Sequence, residues 1–201
     1  MGAMMPLSRC FLVPLVAVTL LGGCGGDAPV TAQPAIITTE GVAALASTTA
    51  PTPYTAAEIR EANPPGTRLL FRLESAGQPT ALRVIEFVGG DAEFVALEFS
   101  MLTEQGEPMG SVDRSEVTWT ELRDHAAFPA ASTRRARSTA TVPAGRFEVW
   151  QYTVQGEEDG VPVTTRFSFA LDRPGPPVLL EQEIDGQVAL RMALVEDSRG
   201  P

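Results

Sequence analysis

The chain contains no lysine: its 15 basic side chains are all arginine, set against 25 acidic ones. With 18 Gly and 17 Pro, this bias points to a GC-rich coding sequence, and the net charge of −10 supplies no basic face for neutralising nucleic-acid phosphates. A nucleic-acid partner is therefore not expected. Cysteine is nearly as scarce, since Cys10 and Cys24 are the only two and nothing beyond residue 24 carries a thiol. Thiol catalysis, thiolate metal sites and disulfides are thereby excluded from the rest of the chain, which must hold itself together by burial. There is one histidine, His125. A zinc site built on it would need carboxylates for its remaining ligands, and neither a metal nor a cofactor is expected. Asp124 beside it does not make a catalytic pair, because adjacent helical residues do not face each other and no G-x-S-x-G motif occurs.

Long apolar runs are lacking too. The segment from Cys10 to Leu21 has 12 residues, against the roughly 20 that a helix needs to cross a bilayer. Met1 to Ser8 hold no acidic residue, Arg9 gives one positive charge ahead of the apolar segment, and either Met4 or Met5 also suits a start. That layout is expected of a signal peptide over residues 1–23. Its end, Leu21-Gly22-Gly23-Cys24, resembles the lipobox of bacterial lipoproteins. The resemblance implies that the Cys24 sulfur receives a diacylglycerol, that cleavage precedes Cys24, and that acyl chains make the membrane a partner. It also implies a lipid-anchored place in the cell envelope. Gly25 rather than Asp after the cysteine implies the outer membrane, facing the periplasm, where the host has two membranes.

Residues 24–53 are dense in Ala, Thr, Pro and Gly and contain no aromatic residue. They are expected to be a flexible tether, about 30 Å long as a coil and about 100 Å when extended. Order is expected from Tyr54 to residue 197 as one domain, with 198–201 a disordered tail. Thr55-Ala56-Ala57-Glu58 fits a capping box, and Asn63-Pro64-Pro65-Gly66 stops the helix it starts. From Thr67 onward, apolar or alternating runs are separated by turn chemistry. Strands are predicted at 67–75, 80–88, 92–103, 111–119, 136–142, 146–155, 161–172, 178–184 and 187–195. Asp185-Gly186 is the sharpest turn signal. A second short helix is expected over 120–128, capped by Thr120 and positioned to plug one mouth of the sheet. The predicted fold is mainly β: a curved antiparallel meander, half-barrel or open barrel, with one or two short helices.

Val161, Val163, Phe167, Phe169 and Leu171 alternate onto one face of their strand, and Val188, Leu190, Met192 and Leu194 onto one face of theirs. In RFEVWQYTV, Phe147 and Val149 oppose Trp150, Tyr152 and Val154, so that strand is expected to be covered on both sides. The stretch from Thr141 to Val149, with its Pro143-Ala144-Gly145 turn, and the later Pro174-Gly175-Pro176-Pro177 turn leading into Val178-Leu179-Leu180-Glu181 are similar to hairpins of uncharacterised bacterial envelope proteins. Their curved sheet is of the LolA/LolB type, the lipoprotein carriers and receptors. The resemblance implies a curved antiparallel sheet and brings no catalytic residue.

Trp150, Tyr152, Phe167, Phe169, Leu190 and Met192 are candidates for lining a ligand, although such aromatic residues are more often core than ligand platform. Arg134, Arg135 and Arg137 are candidates for anion contact, alternatively a solvated loop before a strand. Glu157-Glu158-Asp159 lacks the ligand spacing of a calcium loop. Glu181 and Glu183 share a strand face, but alternation assigns that face to solvent rather than to a glycosidase pair. The expected function is a non-enzymatic, lipid-anchored binding module for a lipid or other apolar ligand. The alternatives are an accessory subunit of an envelope complex and, third, an unrecognised hydrolase.

Overall fold

A computed structural model describes residues 47–198. The expected signal peptide 1–23, Cys24, tether residues 25–46 and residues 199–201 lie outside the described residues. Alternating runs and their turns become nine strands: β1 Arg68–Ser75, β2 Ala81–Gly90, β3 Phe94–Thr103, β4 Asp113–Thr118, β5 Thr133–Val142, β6 Gly145–Glu158, β7 Val161–Ala170, β8 Leu179–Ile184 and β9 Gln187–Ser198. Asp185 and Gly186 have φ of 51° and 73°, as a type I′ turn requires. Asp159 and Gly160 repeat it with φ of 52° and 80°. The loop expected at 156–160 is therefore a two-residue turn, and Glu157 and Glu158 belong to β6.

All neighbouring strands are antiparallel, in the order β4-β3-β2-β1-β9-β8-β7-β6-β5. Two meanders thus meet where the first strand pairs with the last, and the sheet is open, with β4 and β5 at its edges. Nine strands laid flat would separate those edges by about 38 Å. The connection between them, residues 119–132 with a helix and a 3-10 turn, reaches only about 35 Å. Curvature brings the edges within its span.

Helix α1, Ala56–Ala62, has the expected capping box: the Thr55 hydroxyl accepts from the Glu58 N–H, and the Glu58 carboxylate accepts from the Thr55 N–H at 2.7 Å. Asn63 ends it, its buried side-chain amide donating to Ile59 O and Pro174 O. The second helix differs from expectation. α2 spans Trp119–Asp124, and its capping box is Thr118 with Glu121 rather than a Thr120 cap. His125 and Phe128 therefore lie beyond it. The Thr120 reading failed because Thr118 also continues the strand alternation of β4, so cap and strand end coincide on one residue.

The helices cover one face of the sheet, here the inner face, where Trp119 stacks on Phe87 and Ile59 joins the core. Register carries one row across the inner face: Arg135, Tyr152, Phe167, Leu180, Met192, Leu73, Ala81 and Thr103. Residues 47–53, expected to be tether, are part of this packing. Thr49 bridges to Pro129, Ala50 is buried with its N–H on Phe128 O at 2.8 Å, and Pro51 O accepts from the Tyr152 hydroxyl. Order thus starts upstream of Tyr54, and at the other end β9 continues through Ser198.

β6 is covered on both sides, with Val149 buried on the outer face and Tyr152 on the inner. The outer cover is the tip of the long β5–β6 hairpin, which bends back so that the Ala144 N–H donates to Leu194 O at 3.1 Å. A register shift between β1 and β9 lies beside that carbonyl. Ala140, Val142 and Phe147 join Ala170 and Ala193 in the core there.

Candidate binding surfaces

Of the four aromatic candidates, Tyr152 and Phe169 are enclosed by protein, and Trp150 and Phe167 are half-buried. Tyr152 is fully buried and Phe169 nearly so. Phe128 stacks on Phe167 at 4.6 Å and leans on Tyr152 at 5.4 Å, while Tyr54 meets Phe169 edge-on at 6.1 Å. The Tyr54 hydroxyl donates to Ala170 O, next to Phe169 at the end of β7. Burial pushes the Tyr152 phenol above its ordinary value, opposed by the charge of Arg135. These five rings form one cluster, in which Phe128 and Tyr54 pack on Phe167 and Phe169 and the Pro51 carbonyl meets Tyr152. Leu190 and Met192, with Leu180 and Leu73 beside Met192 in the register, are half-buried and continue the inner face away from the cluster.

The three arginines do not lie in a loop before a strand; all belong to β5, which starts at Thr133. Arg135 and Arg137 stand opposite Tyr152 and Trp150 on the inner face, and Arg134 faces the other way opposite Thr153. The Arg135 guanidinium lies 3.7 Å from the Trp150 ring centre and 5.5 Å from that of Tyr152, with Arg137 4.8 Å from Trp150. Guanidinium groups laid on an indole face keep their N–H edges outward. None of the three has a carboxylate partner among the described residues, and the Arg135 Nε is buried without an acceptor.

Arg83 was not singled out by the sequence. It lies on the inner face between Phe71 and Met101, half-buried, its guanidinium 5.4 Å from the Phe99 ring. Burial pushes its pKa down. The signal that marks it is phase: in ALRVIEF, Ala81, Arg83, Ile85 and Phe87 share one side of the strand, and a charge occupies an apolar position.

Several other titratable groups are tied up in ion pairs. Asp124 pairs with Arg123 at 2.7 Å, and His125 is exposed at the end of α2. Glu181 and Glu183 lie in an outer-face ladder of ion pairs running Glu183–Arg166, Glu181–Arg191, Arg191–Glu74, Glu74–Arg72 and Arg72–Glu104. Among the described residues, no group of three or more His, Cys, Asp or Glu side chains is arranged to hold a metal ion. A groove of about 280 Å³ separates α1 and α2 beside the β2–β3 turn, with Arg60 reaching across it to Ala92 O. It is lined mainly by Ala56, Ala57, Thr118 and Trp119. No protein-family model matches the chain, and a search of curated proteins likewise finds no match.

Proposed function

We propose that this chain is a lipid-anchored envelope protein that acts by docking rather than catalysis, as an accessory subunit held at the membrane through acyl chains on Cys24. The observation that carries the docking reading is the division of labour in the sheet. Phe128 and Tyr54 pack against Phe167, Tyr152 and Phe169, three of the rings suited to lining a pocket, whereas the arginines of edge strand β5 have no acidic partner among the described residues. The anchor rests on Leu21-Gly22-Gly23-Cys24. Two or three acyl chains, at about 0.8 kcal/mol per buried CH₂, make such anchoring stable. Cross-linking in native membranes, followed by purification and mass spectrometry of lipids and proteins, tests both parts. A stoichiometric protein partner, together with an acylated N-terminal Cys24, is expected. Recovery of a stoichiometric lipid with no protein partner would overturn the docking reading.

A second reading, binding of an amphiphile with an acidic headgroup, is favoured by Arg83. Its half-buried guanidinium adjoins Phe99 on the same face as the half-buried Leu73 and Met192, so an anionic head would find a cation there and an acyl chain an apolar strip. On this reading Arg83→Leu abolishes co-purification of an acidic lipid and leaves protein partners unchanged.

A further inference from the structure

We infer that β5 receives an extended acidic segment of a partner protein as a tenth strand, with carboxylates at alternate positions seated on Arg135 and Arg137. This inference rests on the docking reading above and names the surface and the chemistry of the partner. Of the sheet's two edges, β5 is the longer, ten residues against six for β4; its end at Ala140 and Val142 folds into the core, and Arg134 to Thr139 remain half-buried or exposed. Ten consecutive residue pairs join it to β6 without a register shift, and no proline lies between Thr133 and Val142. The ladder at the other edge, β3–β4, is also free of shifts but has six pairs. A long, unbroken edge is a template for strand addition unless something blocks it.

Charge selects the partner. From Pro129 to Phe147 there are four arginines and no Asp or Glu, in a chain whose net charge is −10. Arginine on an edge can also act as a guard against pairing, but a guard works best mobile and solvated. Arg135 and Arg137 instead lie against the ring of Trp150 at 3.7 Å and 4.8 Å. Two like charges two residues apart on one strand face repel each other. An anion between or above them would relieve that repulsion. Side chains at i and i+2 of a strand are about 7 Å apart, so an added strand with the pattern acid-x-acid brings one carboxylate over each guanidinium, in the two-pronged geometry arginine favours. A second copy fits poorly: the other edge, β4, is six residues long, and its Asp113 and Glu116 point to opposite faces.

The test uses the full chain in detergent and a library of nine-residue peptides whose central positions are Glu-x-Glu, Gln-x-Gln or Lys-x-Lys. Selection of Glu-x-Glu over Gln-x-Gln by about tenfold or more is expected, with slowed hydrogen exchange at β5 backbone amides. That preference should vanish in Arg135→Ala/Arg137→Ala and weaken in the double lysine variant, which keeps the charge and loses the planar fork. The comparison of peptides on the unaltered protein stands even if the alanine variant is unstable. Selection without β5 protection, or no selection at all, overturns the inference, as does β5 protection by phosphatidylglycerol vesicles and not by peptides. The two readings fail separately. If a protein partner co-purifies equally with the unaltered chain and with the double alanine variant, the edge is wrong and docking stands; if none co-purifies with either, docking itself fails.

Discussion

Strand β7 divides two chemistries between its alternate residues. On the inner face Phe167 stacks on Phe128, and Phe169 meets Tyr54 and Tyr152. On the outer face Arg166 grips Glu183 by both guanidinium nitrogens. The inner contacts are dry and cooperative, so removing one ring leaves a cavity whose lining loses partners outright. The outer contacts are half-exposed ion pairs, where water and salt compete for both charges. Two faces of one sheet thus carry different duties: the inner face supplies most of the stability, while the outer ladder keeps a pleated surface soluble and in register. The exception is the outer end of β6, where the bent-back hairpin tip turns part of the outer face into core.

That contrast breaks if inner-face truncations prove mild. Phe169→Ala is expected to cost about 3 to 5 kcal/mol, measured by denaturant unfolding, with Tyr152→Ala at least as severe because Pro51 O loses its donor. Phe147→Ala sharpens it. This ring lies on the outer face, yet it is buried and carries Arg173 5.5 Å above it, so a loss of about 3 kcal/mol is expected, well above any change in the ladder. Thr118→Ala addresses the lid over the inner face and should cost about 1 kcal/mol through loss of the α2 cap. Arg191→Met, which breaks two links of the ladder, should cost under about 1 kcal/mol and disappear as salt is raised.

The smallest effect is one of pH. Hydrogen bonds from Thr55 hold the Glu58 carboxyl below its ordinary range, and those from Thr118 do the same for Glu121. A carboxyl depressed in the folded state contributes stability that is complete above its unfolded pKa, about 4.3, and is lost as pH falls through its folded value. Glu121→Gln should therefore flatten the acid side of a Tm-against-pH curve and leave Tm near neutral pH only slightly changed. An unaltered acid limb would mean that the α2 cap does not couple to unfolding of the sheet.

Local signals made most of the sheet legible. Asp-Gly, Pro-Ala-Gly and the Pro174–Pro177 turn act through the φ preferences of the residues themselves, so each strand break was written within a few positions. What escaped depends on distant partners. The Ala, Thr and Pro of residues 47–53 read as tether because composition cannot show that the Pro51 carbonyl meets a hydroxyl 101 positions away. Thr118 was passed over because its β-branched shape suits strand and cap alike. At the candidate surfaces, the clustering of Arg134, Arg135 and Arg137 was visible, but not that two of them share Trp150. Arg83 is legible by its phase, a charge at an apolar position of β2.

The pairing of β1 with β9 also bears on the order in which the chain acquires its fold. The strand that fills the gap between the two meanders is the last of the nine to leave a ribosome or a translocation pore. Until it arrives, β1 and β8 each present a bare edge, and the halves are joined only by contacts such as those of Asn63 with Pro174 O and of Tyr54 with Ala170 O. Contacts between Arg68–Ser75 and Leu190–Ser198 span most of the domain, which predicts slow, late and nearly all-or-none folding. A chain clipped after Ile184 would lack the keystone and offer four strand edges to its neighbours instead of two. For a protein of this architecture, proteolysis near the Asp185-Gly186 turn is a route to aggregation rather than to a stable fragment.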